Sequence, residues 1–130
     1  VLVTRTGGRY ARTESLTCEQ LLSTPLVLRE NGSGTLEVIS AALAAKGIRL
    51  SQLDVVMRLG TTEGIKGFVR NSDVLAIVSV TSVVDELRSG ALRIIDIEGL
   101  TLSRDFNFVH AEAEPARLVR QFVDFARANR

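Results

Sequence analysis

Val74-Leu75-Ala76-Ile77-Val78 sets five apolar side chains in succession, with no polar residue between them. A strand of this kind needs both of its faces dry. A parallel sheet covered by helices on both sides provides that, whereas an antiparallel sheet with one wet face does not. The rest of the chain must then supply covering helices, and its periodicity does so. Val1-Leu2-Val3-Thr4 reads as a buried strand, followed by a polar, glycine-containing loop from Arg5 to Ser15. Thr17-Cys18-Glu19-Gln20 has capping-box spacing, which predicts a short helix through Leu21-Leu22 that stops before Pro25. Leu26-Val27-Leu28 is a short apolar strand.

From Gly34 the apolar period becomes helical, with Leu36, Ile39 and Leu43 on one face and Gly47 as the stop. Leu53, Val55, Met57 and Leu59 alternate with Asp54, Val56 and Arg58, as in a strand with one wetter face. The stretch after Gly60 reads as a helix carrying Ile65, Phe68 and Val69. Ser79 or Thr81 can cap a further helix with Val80, Val83, Val84 and Leu87 inward, ended by Gly90. Leu92 to Ile97 and Leu102 to Val109 read as two strands joined through Glu98-Gly99. Pro115 suits the first position of a last helix, which is expected to bury Leu118, Phe122 and Phe125. Strand–helix alternation followed by two strands and a helix predicts an α/β fold with a mostly parallel sheet flanked by helices.

Composition narrows the function classes. A chain of 130 residues, 45% hydrophobic and 24% charged, suits one globular domain with its own core. The net charge of +1 creates no strong field toward nucleic acid or membrane. Arginine far outnumbers lysine, of which Lys46 and Lys66 are the only two, and no aromatic-interleaved basic patch is visible. One cysteine, Cys18, forms no internal disulfide and points to a reducing compartment, so a cytoplasmic location is expected. No apolar run reaches membrane-spanning length and no signal peptide is visible, so no membrane partner is expected. The chain opens at strand strength without a methionine, from which a fragment lacking its N-terminal partner strands is expected.

The stretch Leu28-Arg29-Glu30-Asn31-Gly32-Ser33-Gly34-Thr35 joins a strand to a helix. It is not a Walker loop, because Leu36-Glu37 stand where a Lys-Ser/Thr pair is required. It is not the dinucleotide fingerprint, because Glu37 takes the place of the third glycine. Two readings stay open. The free N–H groups and the hydroxyls of Ser33 and Thr35 can hold a small anion at the helix start. Alternatively, Ser33 simply caps the helix. Gly60-Thr61-Thr62-Glu63 repeats the arrangement after another strand, and Ser79 offers a hydroxyl at a third. Parallel strands bring their C-terminal ends to one edge of a sheet, where ligands of open α/β sheets gather. The candidate binding set is therefore Arg29, Ser33, Gly34 and Thr35 on one turn, Gly60, Thr61 and Thr62 on the next, and Ser79 on the third.

No catalytic residue is assigned. His110 is the single histidine, near Glu112 and Glu114 at a predicted strand end, and Cys18 has no histidine partner in the pattern. No cluster has metal-ligand spacing, and no motif calls for a cofactor.

Thr17 to Ile48 together with Leu59 to Val69 resembles the effector-binding domain of LysR-type transcriptional regulators. That family often shows Pro-Leu-Ile-Leu-Arg-Glu-x-Gly-Ser-Gly-Thr, here Pro25 to Thr35, and Gly-Ser/Thr-x-Glu-x-Ile-Lys-x-x-Val, here Gly60 to Val69. Val74 to Leu87 and Gly90 to Val109 continue the likeness. One departure is Asn71-Ser72-Asp73, where the family commonly has Gly-x-Gly; Asn and Asp can support such a turn through side-chain hydrogen bonds.

The resemblance implies a type 2 periplasmic-binding-protein-like fold of two α/β lobes around a small-molecule cleft. The second lobe would run over residues 5–104. Residues 1–4 and 105–130 would be crossing strands, Phe106 to Val109 among them, and a C-terminal helix belonging to the first lobe, the rest of which is missing. It further implies an effector-sensing function rather than an enzyme. A small anionic metabolite would control a homodimer or homotetramer that meets DNA through a missing N-terminal helix-turn-helix. Two rivals are a solute-binding protein of a transport system and an enzyme such as a dehydratase on the same lobes. The enzyme would need an acid–base group at the cleft, and the single histidine lies at the presumed crossing strand.

Overall fold

The computed structural model describes residues 1–104, 108–109 and 116–129. Its strands are β1 (Leu2–Arg5), β2 (Ser15–Leu16), β3 (Leu26–Arg29), β4 (Val55–Leu59), β5 (Leu75–Ile77) and β6 (Leu92–Ile97). They form one sheet in the order β2-β6-β1-β5-β3-β4. β3 runs parallel to β4 and β5, and β2 runs parallel to β6. β1 enters the middle of the sheet antiparallel to both β5 and β6. The expected mostly parallel α/β architecture is therefore present, with β1 as its reversed strand.

Helices α1 (Cys18–Leu22) and α2 (Gly34–Ala44) contribute Leu21, Leu36, Ile39 and Leu43 to one core. That core also takes Leu2, Leu26, Leu28, Leu75 and Ile77 from the strands. Helix α3 (Thr62–Arg70) and the residue before α4 (Val84–Arg88) supply Ile65, Val69 and Val83 to a second core, with Val3, Val27, Val74, Ala76 and Val78. Successive residues of β3 and β5 thus alternate between the two cores. This is why Val74 to Val78 carries no polar residue: each face of that strand has its own dry layer.

Local chemistry fixes the element ends. Thr17 Oγ1 accepts from the Gln20 N–H at 3.2 Å and Gln20 Oε1 accepts from the Thr17 N–H at 2.8 Å, completing the capping box. Gly47 follows α2 with φ of 73°, a left-handed value that favours glycine. At the Asn71-Ser72-Asp73 turn, Asn71 Nδ2 donates to the Gly67 carbonyl at 2.8 Å and Ser72 Oγ to the Phe68 carbonyl at 2.6 Å. Asp73 Oδ1 accepts from Arg5 Nη2 and from the Arg9 N–H, both at 2.9 Å. Side-chain bonds therefore hold this turn without a glycine.

Four expectations change. Met57 is exposed rather than inward, as is Val56. β4 is the sheet's edge, and its register shifts between the pairs Leu26–Val55 and Val27–Met57, so Val55 and Met57 do not share a face. Val80 is exposed in a 3₁₀ turn over Val80–Ser82, and the helix begins only at Val84 without a side-chain cap. Leu102 to Arg104 and Phe108-Val109 have no regular structure, so no strand is found there among the described residues. Leu118, Phe122 and Phe125 on α5 (Arg117–Ala128) are exposed instead of buried. The face they form joins neither core, although the Phe122 ring meets Phe108 edge-on at 6.4 Å. His110, Glu112, Glu114 and Pro115 lie outside the described residues, as does Phe106.

α3 and α4 are clasped by charge. Lys66 Nζ lies 2.9 Å from Glu86 Oε1 and 2.7 Å from Glu63 Oε1, and it donates to the Ser82 carbonyl at 3.2 Å. The hydrogen bond from Lys66 holds the Glu86 carboxyl below the usual glutamate range. A carboxylate with a lowered folded value stabilises the fold above its unfolded value, and loses that contribution as pH falls through the folded one. E86Q should therefore flatten the acid limb of stability below about pH 4.3. Urea midpoints taken across that range check this, and an acid limb equal to that of the unsubstituted chain would contradict the clasp.

A candidate effector cleft at the start of α2

β3 ends at Arg29, and Gly32 turns the chain with φ of 86°, a value that favours glycine. Ser33 then caps α2: its buried Oγ accepts from the Leu36 N–H at 3.1 Å. Thr61 does the same for α3, its Oγ1 accepting from the Gly64 N–H at 3.1 Å. The two turns converge, as expected for the ends of parallel neighbours. Arg29 Nη2 donates to the Gly60 carbonyl at 3.2 Å, and its Nη1 lies 3.5 Å from Thr62 Oγ1. The same guanidinium binds Glu30 through Nε at 2.8 Å and Nη2 at 2.9 Å. That bond keeps the Glu30 carboxyl below its usual range. Arg29, Gly60 and Thr62 thus knit the turns together.

A cavity of about 340 Å³ opens beside them, within the range of roughly 300–1,000 Å³ usual for small-molecule sites. Its walls come from the first turns of α2, the C-terminal end of β5 and the segment after β6. Thr35 and Ser79 of the candidate set line it, with Val38, Val78 and Leu102 as apolar wall. Ser79 Oγ and Thr81 Oγ1 stand 2.8 Å apart on the β5 side. Ser33, Gly34, Thr61, Thr62, Gly60 and Arg29 stand outside its lining.

Arg104 also lines the cavity, and its guanidinium rests on Gly34. Sequence reading did not single out Arg104. It sits in a stretch read as strand, and no motif marks it; only its place in the fold reveals it. The combination of apolar walls, hydroxyl-bearing residues and one arginine suits a small polar organic ligand. Among the described residues no group of His, Cys, Asp and Glu could hold a metal ion, and no helix is long and apolar enough to cross a membrane.

The chain matches the family model for the LysR substrate binding domain over residues 1–130. It is 31% identical over 111 residues to the HTH-type transcriptional regulator YeiE of Escherichia coli K12, covering 85% of this chain and 37% of that protein. It is 35% identical over 116 residues to the phosphonates import ATP-binding protein PhnC of Anaeromyxobacter dehalogenans, covering 88% of this chain but 23% of that protein. The chain therefore spans well under half the length of these curated relatives. Among solved structures, the CcmR regulatory domain of Synechocystis PCC6803 in complex with 2-PG superposes with a TM-score of 0.74 at 20% identity, covering 98% of this chain and 61% of that one. The sheet order, the reversed β1 and this superposition describe a type 2 periplasmic-binding-protein-like lobe, and the chain belongs to the LysR substrate binding domain family.

Proposed function

We propose that this chain is the effector-sensing part of a bacterial LysR-type transcriptional regulator, taking a small anionic metabolite into the cavity beside α2. The observation that carries this reading is the cavity itself, at the C-terminal end of β5, with Thr35, Ser79 and Arg104 in its lining. The family match and the regulators among the relatives support it, as does the 2-PG found with the CcmR regulatory domain.

Residues 5–104 form the second lobe in this reading, with 1–4 and 105–130 belonging to the first. The reversed course of β1 and the exposed apolar face of α5 are in keeping with that division. The facing wall of the cleft would come from the rest of the domain. Occupancy would favour one lobe arrangement, and hence one arrangement of a homodimer or homotetramer on DNA bound through a helix-turn-helix. The protein works in the cytoplasm and carries no enzymatic activity in this reading.

The test uses the full-length protein carrying this chain, with 2-PG as the first probe and a panel of small mono- and dicarboxylates after it. Each of T35V and S79A should weaken the anion that stabilises the unsubstituted protein by about tenfold, the loss of one hydrogen bond to a charged group. Melting temperature without ligand should stay put. A protein whose melting temperature responds to no probe, or variants that bind as well as the original, would overturn the assignment.

A further inference from the structure

Gly34 is the first residue of α2, and its backbone does not need glycine: the positive-φ glycines are Gly32, Gly47, Gly90 and Gly99. Glycine within a helix costs stability relative to alanine. What Gly34 does provide is space. A Cβ built there would lie 2.8 Å from Arg104 Nη2, 2.9 Å from Nη1 and 3.0 Å from Cζ. Contacts that short do not occur between real atoms of these types, so any side chain at 34 moves the guanidinium. The neighbouring atoms are the far end of a flexible arginine rather than backbone, so the fold can absorb that move while the cation cannot stay in place.

Arg104 also lines the cavity, with Thr35 next along the chain from Gly34 and Ser79 in the wall formed at the end of β5. Arg104 has a further interaction of its own. Its guanidinium stands against Gly34, and the residue lines the cavity. Guanidinium is a planar fork of donors that matches a carboxylate or phosphate in two parallel hydrogen bonds.

We propose that Arg104 is the residue that recognises the anionic end of the effector, and that Gly34 is the positioning residue that sets where its guanidinium stands. This deepens the proposed function and rests on it. A carboxylate or phosphate group of the effector would pair with Arg104, and the less polar body of the molecule would lie along Val38 and Val78. Arginine selects the charge, and the missing side chain at 34 selects the depth at which that charge is met.

The test again uses the full-length protein, titrated calorimetrically with 2-PG, with succinate and with uncharged glycerol. R104A should weaken the anions roughly 10- to 100-fold and leave any glycerol response unchanged. R104K, which keeps the charge but not the fork, should recover part of that loss. G34A should weaken the same anions while its melting temperature stays equal or rises, which a merely structural role for Gly34 would not produce. The double variant should bind no more weakly than R104A, because both changes remove one interaction. Undiminished anion binding in R104A and R104K overturns the recognition role, and undiminished binding in G34A overturns the positioning role. If the unsubstituted protein binds glycerol but neither anion, this proposal falls while the cavity stands. If it binds none of the three, the proposed function falls with it.

Discussion

L26A is expected to destabilise the chain by about 2–5 kcal/mol, the range for emptying a buried leucine site. Leu26 is fully buried on β3, which has β4 on one side and β5 on the other. Its side chain belongs to the core that also holds Leu36 and Ile39 of α2. Its N–H donates to the Asp54 carbonyl at 2.8 Å, while the Leu75 N–H reaches back to Pro25 at 3.0 Å. The site is fixed by backbone on both sides, so it has little freedom to collapse around a void. The cost should fall toward the upper part of that range. Urea unfolding reads it as a lower midpoint with an unchanged slope. M57A on the exposed edge strand should change stability by less than about 0.5 kcal/mol. Equal losses in the two variants would mean that the two-sided core is misassigned.

That contrast also shows where sequence suffices. Each feature read correctly is written in adjacent residues: five apolar residues for β5, a Thr and a Gln three apart for the capping box, a glycine where α2 must stop. The features misread or left open depend on a distant partner. β1 looks like any buried strand, and nothing within Val1 to Thr4 says that it runs against β5 and β6. Met57 follows the alternation of its own segment, yet a register shift against β3 sends it outward. Leu118, Phe122 and Phe125 keep a clean helical period, and that period states that a face is apolar without naming what covers it. The lining of the candidate cavity divides in the same way. Thr35 and Ser79 were legible because hydroxyls at strand ends share one edge of a parallel sheet. Arg104 was not, because the space at Gly34 that receives it is separated from it by seventy residues.

S33A is expected to cost about 1–2 kcal/mol, and S33D to restore most of it. The loss has two sources. The cap itself disappears, and the Leu36 N–H is left without its acceptor in a buried place. Aspartate offers an oxygen at the same reach and adds a negative charge at the positive end of α2. Thermal unfolding followed by circular dichroism reads both changes. A melting temperature unmoved by S33A would mean that the hydroxyl is free for a ligand and that the cap contributes nothing. The expected loss instead separates two jobs within one turn. Gly32 reverses the chain and Ser33 satisfies the helix end, so neither need contact a ligand. With those tasks met, Gly34 is released from any backbone requirement and Thr35 is free to present its hydroxyl to the cavity. The glycine–serine–glycine–threonine run thus works in two halves, the first holding α2 in place and the second standing against Arg104 and the cavity.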